Sequence, residues 1–139
     1  MILIDSNVFM YAAGAPHPNK NSSVALLEFV ARGKVDAAID AEVLQEILHR
    51  YRSIRRWKDG RALYDLVRSV VTNVIPVTAE ILDETRVILD AHTSIAARDA
   101  LHAAAARRAG ASCICSFDRD FDRIPGVIRR EPEAILAPA

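Results

Sequence analysis

Short apolar runs that alternate with helical periods constrain the fold of this chain more than any other feature. The apolar runs are typical of buried strands, and between them apolar residues recur at helical spacing. Strands that alternate with helices form βα units, so the sequence predicts an α/β protein with a mainly parallel central sheet. The predicted strands are Ile2–Ile4, Val35–Ile39, Val74–Val77, Ser112–Ser116 and Val127–Ile128.

The predicted helices fill the intervals between these strands. Polar residues suited to N-capping precede three of them, and glycines follow two. Asn21 or Ser22, Thr78 and Ser94 are the candidate N-caps, and Gly33 and Gly110 the candidate stops. The helical runs are Ser23–Arg32, Ala41–Arg56, Lys58–Val71, one from Thr78 to about Asp90 and one from Ser94 to Gly110.

The size and composition of the chain favour a single domain over residues 1–139. A length of 139 residues is common for one domain, and 51% apolar residues suffice for a core. The 18 basic residues equal the 18 acidic ones, so net charge gives no global attraction to nucleic acid. A local basic patch can still supply such attraction.

The first residues and the hydropathy of the chain predict a soluble, cytoplasmic protein with no membrane partner. The segment Met1 to Asp5 lacks the basic region of a signal peptide. No apolar run approaches the ~18 residues of a membrane-spanning helix. Cys113 and Cys115 have no further zinc ligands nearby, and we interpret them as buried core residues.

Acidic residues occupy the positions at which parallel sheets form ligand sites. Asp5 and Asp118 follow apolar runs, and ligands bind at the carboxyl ends of parallel strands. Asp99 lies in the first turn of a predicted helix, above small alanines. Glu46 lies near the edge of the apolar face of its helix, whereas Glu42 points away and is interpreted as a solvated acid.

A cluster of these carboxylates indicates a divalent-metal site. Like charges raise one another's pKa, so such a cluster usually needs a hard cation such as Mg²⁺ or Mn²⁺. Phosphodiester hydrolysis uses such ions to activate water and to stabilise the leaving oxygen. Asp120 is a further, less certain ligand candidate. Ser116 is a candidate hydrogen-bond partner of a bound water, and His102 is interpreted as a structural histidine.

Three stretches of the chain resemble those of a known family. They are Ile2-Leu-Ile-Asp-Ser-Asn-Val-Phe, Arg98-Asp-Ala-Leu-His-Ala-Ala-Ala and Ser116-Phe-Asp-Arg-Asp-Phe, and Glu46 matches a glutamate of the central helix. Together they resemble the PIN domain, specifically the VapC-type toxins of toxin–antitoxin modules. The resemblance implies a three-layer α/β/α fold.

The resemblance also implies an activity and partners. It implies a Mg²⁺- or Mn²⁺-dependent endoribonuclease with Asp5, Glu46, Asp99 and Asp118 as the catalytic, metal-binding quartet. Asp120 carries over with less certainty. It further implies a homodimer and a cognate VapB-type antitoxin that blocks the site.

The segment from His49 to Arg61 is locally basic and carries aromatic residues. Arginines beside Tyr51 and Trp57 suit phosphate contact and base stacking. The alternatives are a solvated helix end and an antitoxin or dimer face. The candidate RNA-binding residues are Arg50, Arg55, Arg56 and Lys58.

Two other functions remain open from the sequence. One is a phosphatase with Asp5 as nucleophile, which is disfavoured because Asn7 leaves no second acid two residues on. The other is a non-catalytic RNA- or antitoxin-binding module, whose RNA binding would not depend on magnesium.

Overall fold

A five-stranded sheet forms the centre of the protein, whose computed structural model describes residues 1–138. Ala139, the last residue of the predicted domain, lies outside this range. All four strand pairings are parallel. The strands are β1 (Ile2–Ile4), β2 (Ala37–Asp40), β3 (Asn73–Ile75), β4 (Ile114–Cys115) and β5 (Arg129–Arg130).

Within residues 1–138, six α-helices and one 3₁₀-helix connect the strands, and a seventh α-helix follows β5. The α-helices are α1 (Ser6–Ala13), α2 (Lys20–Ala31), α3 (Ala41–Ser53), α4 (Trp57–Val70), α5 (Ala79–Ala91), α6 (Ala97–Ala109) and α7 (Pro132–Leu136). The 3₁₀-helix spans Arg119–Arg123, between β4 and β5. No helix among residues 1–138 is long and apolar enough to cross a bilayer.

The strand order is β3-β2-β1-β4-β5, so the first strand lies in the middle. The chain builds outward on one side through β2 and β3, and on the other through β4 and β5. The order therefore reverses between β1 and β4, and ligands bind outside the carboxyl ends of strands at such a point. Asp5 and Ser116 follow these two strands directly.

Alternate residues of the strands enter two separate cores. Ile2 and Ile4 pack with α1 to α4 on one face, whereas Leu3 and Ile114 pack with α5 and α6 on the other. This alternation is the two-residue period of a strand covered on both faces. The predicted three-layer α/β/α arrangement is confirmed.

The observed boundaries correct several details of the sequence prediction. Thr78 caps α5 as predicted, accepting a hydrogen bond from Ile81 N. Ser94 does not cap α6, whose N-cap is Ala96, because Ile95 is buried in the core and sets where the helix begins. Helix α2 begins earlier than predicted, with Asn19 as N-cap instead of Asn21 or Ser22. Strand β5 lies two residues beyond Val127–Ile128.

Helices α3 and α4 approach each other closely at one glycine. A Cβ built on Gly60 would lie 2.4 Å from Tyr51 Cβ, so only glycine fits there without movement. The turn between the helices places Arg55 at a φ of 60°, the left-handed conformation usually taken by glycine after a helix. Arg56 N then donates to Tyr51 O at 2.9 Å and closes α3.

Candidate metal centre

Asp5 lies at the centre of the site because it joins β1 to α1. It is the N-cap of α1, and its Oδ1 accepts from Ser6 N at 2.7 Å. Its Oδ2 accepts from Ser116 Oγ at 2.7 Å, across from the end of β4. Asp5 is buried, and this burial raises the pKa of its carboxyl above the ordinary value despite these hydrogen bonds.

Glu46 projects from α3 toward Asp5 and is held from two sides. Ser6 Oγ donates to Glu46 Oε2 at 2.6 Å, and Glu46 Oε1 lies 2.5 Å from His102 Nε2. The other ring nitrogen of His102 lies 2.6 Å from Asp40 Oδ2. His102 therefore bridges two carboxylates from β2 and α3, and its Nε2 is also 3.8 Å from Asp5 Oδ1.

The charges of this bridge follow from its geometry. Burial opposes a charge on His102, but the hydrogen bonds that its ring nitrogens donate to Asp40 and Glu46 outweigh burial and raise its pKa well above the usual value. Burial likewise acts to raise the pKa of Glu46, but His102 and Ser6 together lower it. His102 therefore lies buried between two carboxylates that favour its protonated form.

A second group of acids lies beside the first. Asp99 in the first turn of α6 and Asp118 and Asp120 at the 3₁₀-helix bring carboxylate oxygens within 4.8 Å of one another. Burial, and then the charges of Asp118 and Asp5, raise the pKa of Asp99 to about 6. Because the charge of Asp5 helps to raise the pKa of Asp99, the two groups form one electrostatic unit.

The donor chemistry of this unit fits a hard divalent cation. Asp5 and Glu46 converge with His102 in one group, and Asp99, Asp118 and Asp120 form the other. Arg123 pairs only at the outer end of the second group, with its Nη1 3.8 Å from Asp120 Oδ1. Mg²⁺ and Mn²⁺ prefer such oxygen ligands. A cation there would offset the repulsion that raises the pKa of Asp99. Asp99, Asp118 and Asp120 could hold it, together with Asp5 and Glu46.

The comparison with known proteins assigns the chain to a family. The model of the PIN domain matches residues 2–127. Ribonuclease VapC13 of Mycobacterium tuberculosis is 41% identical over 129 residues, which cover 93% of this chain and 98% of that protein. The chain belongs to the PIN-domain family.

Solved structures share the PIN fold of this chain at low identity. Mycobacterium tuberculosis VapC20, a toxin that cleaves the sarcin–ricin loop, matches with a TM-score of 0.76 and 20% identity, covering 92% of this chain and 97% of that chain. VapBC2 of Rickettsia felis, solved with a DNA fragment from its promoter, matches with a TM-score of 0.74 and 24% identity. That match covers 94% of this chain and 98% of the other.

The structure of this PIN domain places the predicted acids at one edge of the sheet. Asp5, Glu46, Asp99, Asp118 and Asp120 all contribute to the two adjoining groups of acids described above. Glu42 is partly buried, and its pKa is raised by burial and then by the charge of Glu46. Glu42 lies in the first turn of α3, as predicted.

Sequence reasoning missed part of the site. Asp40 was overlooked. It is the last residue of β2, and Asp5 directly follows β1, so its position at the carboxyl end of a strand was the available signal. Ser6 was also overlooked, and only its place after Asp5 marked it. The structural role predicted for His102 agrees with its burial, but its two carboxylate partners lie 62 and 56 residues away and left no local signal.

The predicted RNA-binding residues separate into two groups. Arg50 and Arg56 line a cavity with Asn7 and Tyr11, next to the acids. Arg55 and Lys58 are exposed and do not line it.

Proposed function

We propose that this PIN domain is a divalent-metal-dependent endoribonuclease that acts as the toxin of a toxin–antitoxin pair. One observation supports the proposal: two neighbouring groups of acids, Asp5 with Glu46 and Asp99 with Asp118 and Asp120, lie together in a chain 41% identical to a named VapC ribonuclease. A single domain holds the whole site, and its elements come from both halves of the chain.

Asp5, Glu46, Asp99 and Asp118 are the proposed catalytic and metal-binding residues, and Asp120 is a fifth ligand. Their hard oxygen donors favour Mg²⁺ or Mn²⁺ over zinc. When bound, the cation supplies Lewis-acid stabilisation of the charge that develops on the phosphoryl oxygens.

The side chains of the protein have three tasks in this mechanism. Ser6 and Ser116 hold the carboxylates of Glu46 and Asp5 in fixed orientations through the bonds described above. His102 keeps Glu46 ionised and aimed at the site. Asp99, whose pKa is about 6 without a cation, would be held ionised by the bound cation and would serve as one of its oxygen ligands.

The phosphatase alternative is less well supported. Both oxygens of Asp5 already accept hydrogen bonds, from Ser6 N and Ser116 Oγ. Asn7 donates to Ser116 Oγ at 3.1 Å and supports this arrangement instead of acting as an acid.

The partners follow from the same proposal. We infer RNA as the substrate, a VapB-type antitoxin as the inhibitor and a homodimer as the assembly, in the cytoplasm. The solved VapBC2 of Rickettsia felis, bound to a DNA fragment from its promoter, supports the antitoxin part of this proposal.

The deciding experiment is cleavage of total cellular RNA by the purified, antitoxin-free protein. We expect discrete fragments with Mg²⁺ or Mn²⁺, none with EDTA, and none with Asp99→Asn. Asp83→Asn, which changes an exposed acid of α5 in the same way, should cleave like the wild type. Absence of cleavage with either metal by folded wild-type protein would favour the non-catalytic binding module.

A further inference from the structure

A cavity of about 380 Å³ lies between α1 and the turn that joins α3 to α4. Asn7 and Tyr11 of α1 form one wall, and Arg50, Ile54 and Arg56 line the other. Because α1 rises about 1.5 Å per residue, the wall from Asn7 to Gly14 is roughly 10 Å long. The cavity is therefore an elongated groove along α1.

One end of this groove is joined directly to the acidic site. Asn7 Nδ2 donates to Ser116 Oγ at 3.1 Å, and Ser116 Oγ donates to Asp5 Oδ2 at 2.7 Å. Phe117 N also donates to Asn7 Oδ1 at 3.5 Å. A polymer whose reacting phosphate lies at the carboxylates therefore has the groove immediately beside it.

The charge of the groove is opposite to that of the site. Arg50 is exposed and forms no salt bridge within residues 1–138, so its guanidinium is available to a ligand. Arg56 pairs with Asp59 through Nε at 2.8 Å, which leaves its terminal nitrogens free of that bond. A cluster of carboxylates repels a polyanion, and cations beside it supply the compensating attraction to phosphate.

An aromatic side chain stands between the groove and the site. Tyr11 packs edge-on against Phe117, with ring centroids 5.2 Å apart and planes at 80°. Its ring also lies 4.5 Å from that of the exposed His17, at a tilt of 33°. Phe117 immediately precedes Asp118, so the Tyr11 ring is held at a fixed position relative to the acids. A rigid ring in a basic groove is the feature on which single-stranded bases stack.

We propose that this groove binds the RNA nucleotides that flank the cleaved bond, with Arg50 and Arg56 at phosphates and Tyr11 against a base. The proposal rests on the ribonuclease function above and adds a site to it. Neither Asn7 nor Tyr11 belongs to the acidic set, and both lie on the wall that leads away from it.

The test is equilibrium binding of a fluorescein-labelled single-stranded RNA oligonucleotide to the full chain in EDTA, at several salt concentrations. Arg50→Ala/Arg56→Ala should weaken binding about tenfold at low salt. It should also reduce the slope of log affinity against log salt by about 1.4, since each phosphate contact on a single strand contributes about 0.7. Arg32→Ala/Arg107→Ala removes the same charge from two exposed positions outside the groove and should leave both quantities nearly unchanged.

Tyr11 is tested separately by two substitutions. Tyr11→Ala should weaken RNA binding by about fivefold or more, because stacking on an aromatic ring contributes about 1–3 kcal/mol per base. Tyr11→Phe retains the ring and should restore the affinity. Loss of affinity in both variants would assign the effect to the hydroxyl and overturn the stacking role.

The outcomes separate this proposal from the function on which it rests. Wild-type RNA affinity and salt slope in the Arg50→Ala/Arg56→Ala variant would overturn the groove, even if the wild type cleaves RNA. If the same variant retained its affinity for RNA but lost affinity for the antitoxin, the groove would bind protein and the RNA-binding proposal would be overturned. Failure of the wild type to cleave RNA with Mg²⁺ or Mn²⁺ would contradict the ribonuclease function, whatever the binding data show.

Discussion

The ionised carboxyl of Asp99, a single residue of the site, destabilises the folded protein. Its carboxyl is close enough to Asp118 and Asp5 for their charges to add to the effect of burial. In the folded protein the pKa of Asp99 is raised from 3.8 to about 6. Between about pH 4 and pH 6 the carboxyl is therefore mostly protonated in the folded protein and mostly ionised in the unfolded chain. Asp99 therefore contributes a destabilisation that is absent below about pH 4 and complete above about pH 6.

We therefore expect Asp99→Asn to stabilise the metal-free protein at pH 7. The shift corresponds to a few kcal/mol, which solvent screening of a half-buried group reduces to about 1 kcal/mol. A gain of this size raises the melting temperature of a chain of this length by about 3 °C. Thermal melts in EDTA at pH 7 and pH 5 measure it, and the gain should shrink at pH 5. An equal gain at both values would contradict the assigned cause.

At the scale of elements, Arg129 of β5 holds the acidic 3₁₀-helix against the end of β4. The Arg129 guanidinium donates to Ser116 O at 3.1 Å, to both carboxylate oxygens of Asp122 and to Glu131 Oε1. Its side chain is only 14% exposed. Asp118 and Asp120 lie within the segment between Ser116 and Asp122. An edge strand of two residues thus fixes both ends of the segment that supplies two carboxylates.

Replacement of Arg129 should loosen that segment without touching the site. We expect Arg129→Ala to cost about 2 kcal/mol of stability, since it removes partly buried charge-assisted hydrogen bonds. It should also raise the Mg²⁺ concentration needed for half-maximal cleavage by several-fold, because the ligands lose their fixed positions. The matched control is Arg130→Ala, the exposed neighbour on β5, whose guanidinium reaches only Ala134 O of α7 among the described residues. Equal metal requirements in the two variants would refute the role of Arg129.

At the scale of elements, the sequence also predicts most of the strands and helices. Strands β1 to β4 and the helices from α2 to α6 follow from apolar periodicity, and Asp5 and Asp118 follow from strand ends. The fifth strand was predicted at Val127–Ile128 but lies at Arg129–Arg130. Helices α1 and α7 were not predicted, since α1 begins at the acid itself and α7 is short. The bridge from Asp40 through His102 to Glu46 joins residues far apart in the chain, and only the assembled layers bring them together.

For the whole molecule, the site joins elements from both ends of the chain across the two cores. β1 and β2 supply Asp5 and Asp40 at the sheet edge, α3 lies over one face, and α6 lies over the other. A cation bound between the carboxylates would therefore connect the layers. Ligands that bind only the folded state stabilise it by mass action.

We expect Mg²⁺ or Mn²⁺ to raise the melting temperature of the wild-type protein. At a hundredfold excess over the dissociation constant the gain is about 2.7 kcal/mol, which is several degrees. Asp99→Asn/Asp118→Asn should lose the shift, and Asp83→Asn should keep it. Melts with and without EDTA measure this directly. An undiminished shift in the double variant would place the cation elsewhere.

The central position of β1 has a consequence for how the protein is made. Asp5 is synthesised 111 residues before Ser116, which holds its carboxylate. β1 cannot gain its second neighbour, β4, until most of the chain has been synthesised. An interrupted translation product that ends before β4 carries Asp5, Glu46 and Asp99 without Asp118. The full set of proposed ligands is therefore assembled only after β4 and the 3₁₀-helix that follows it have been synthesised.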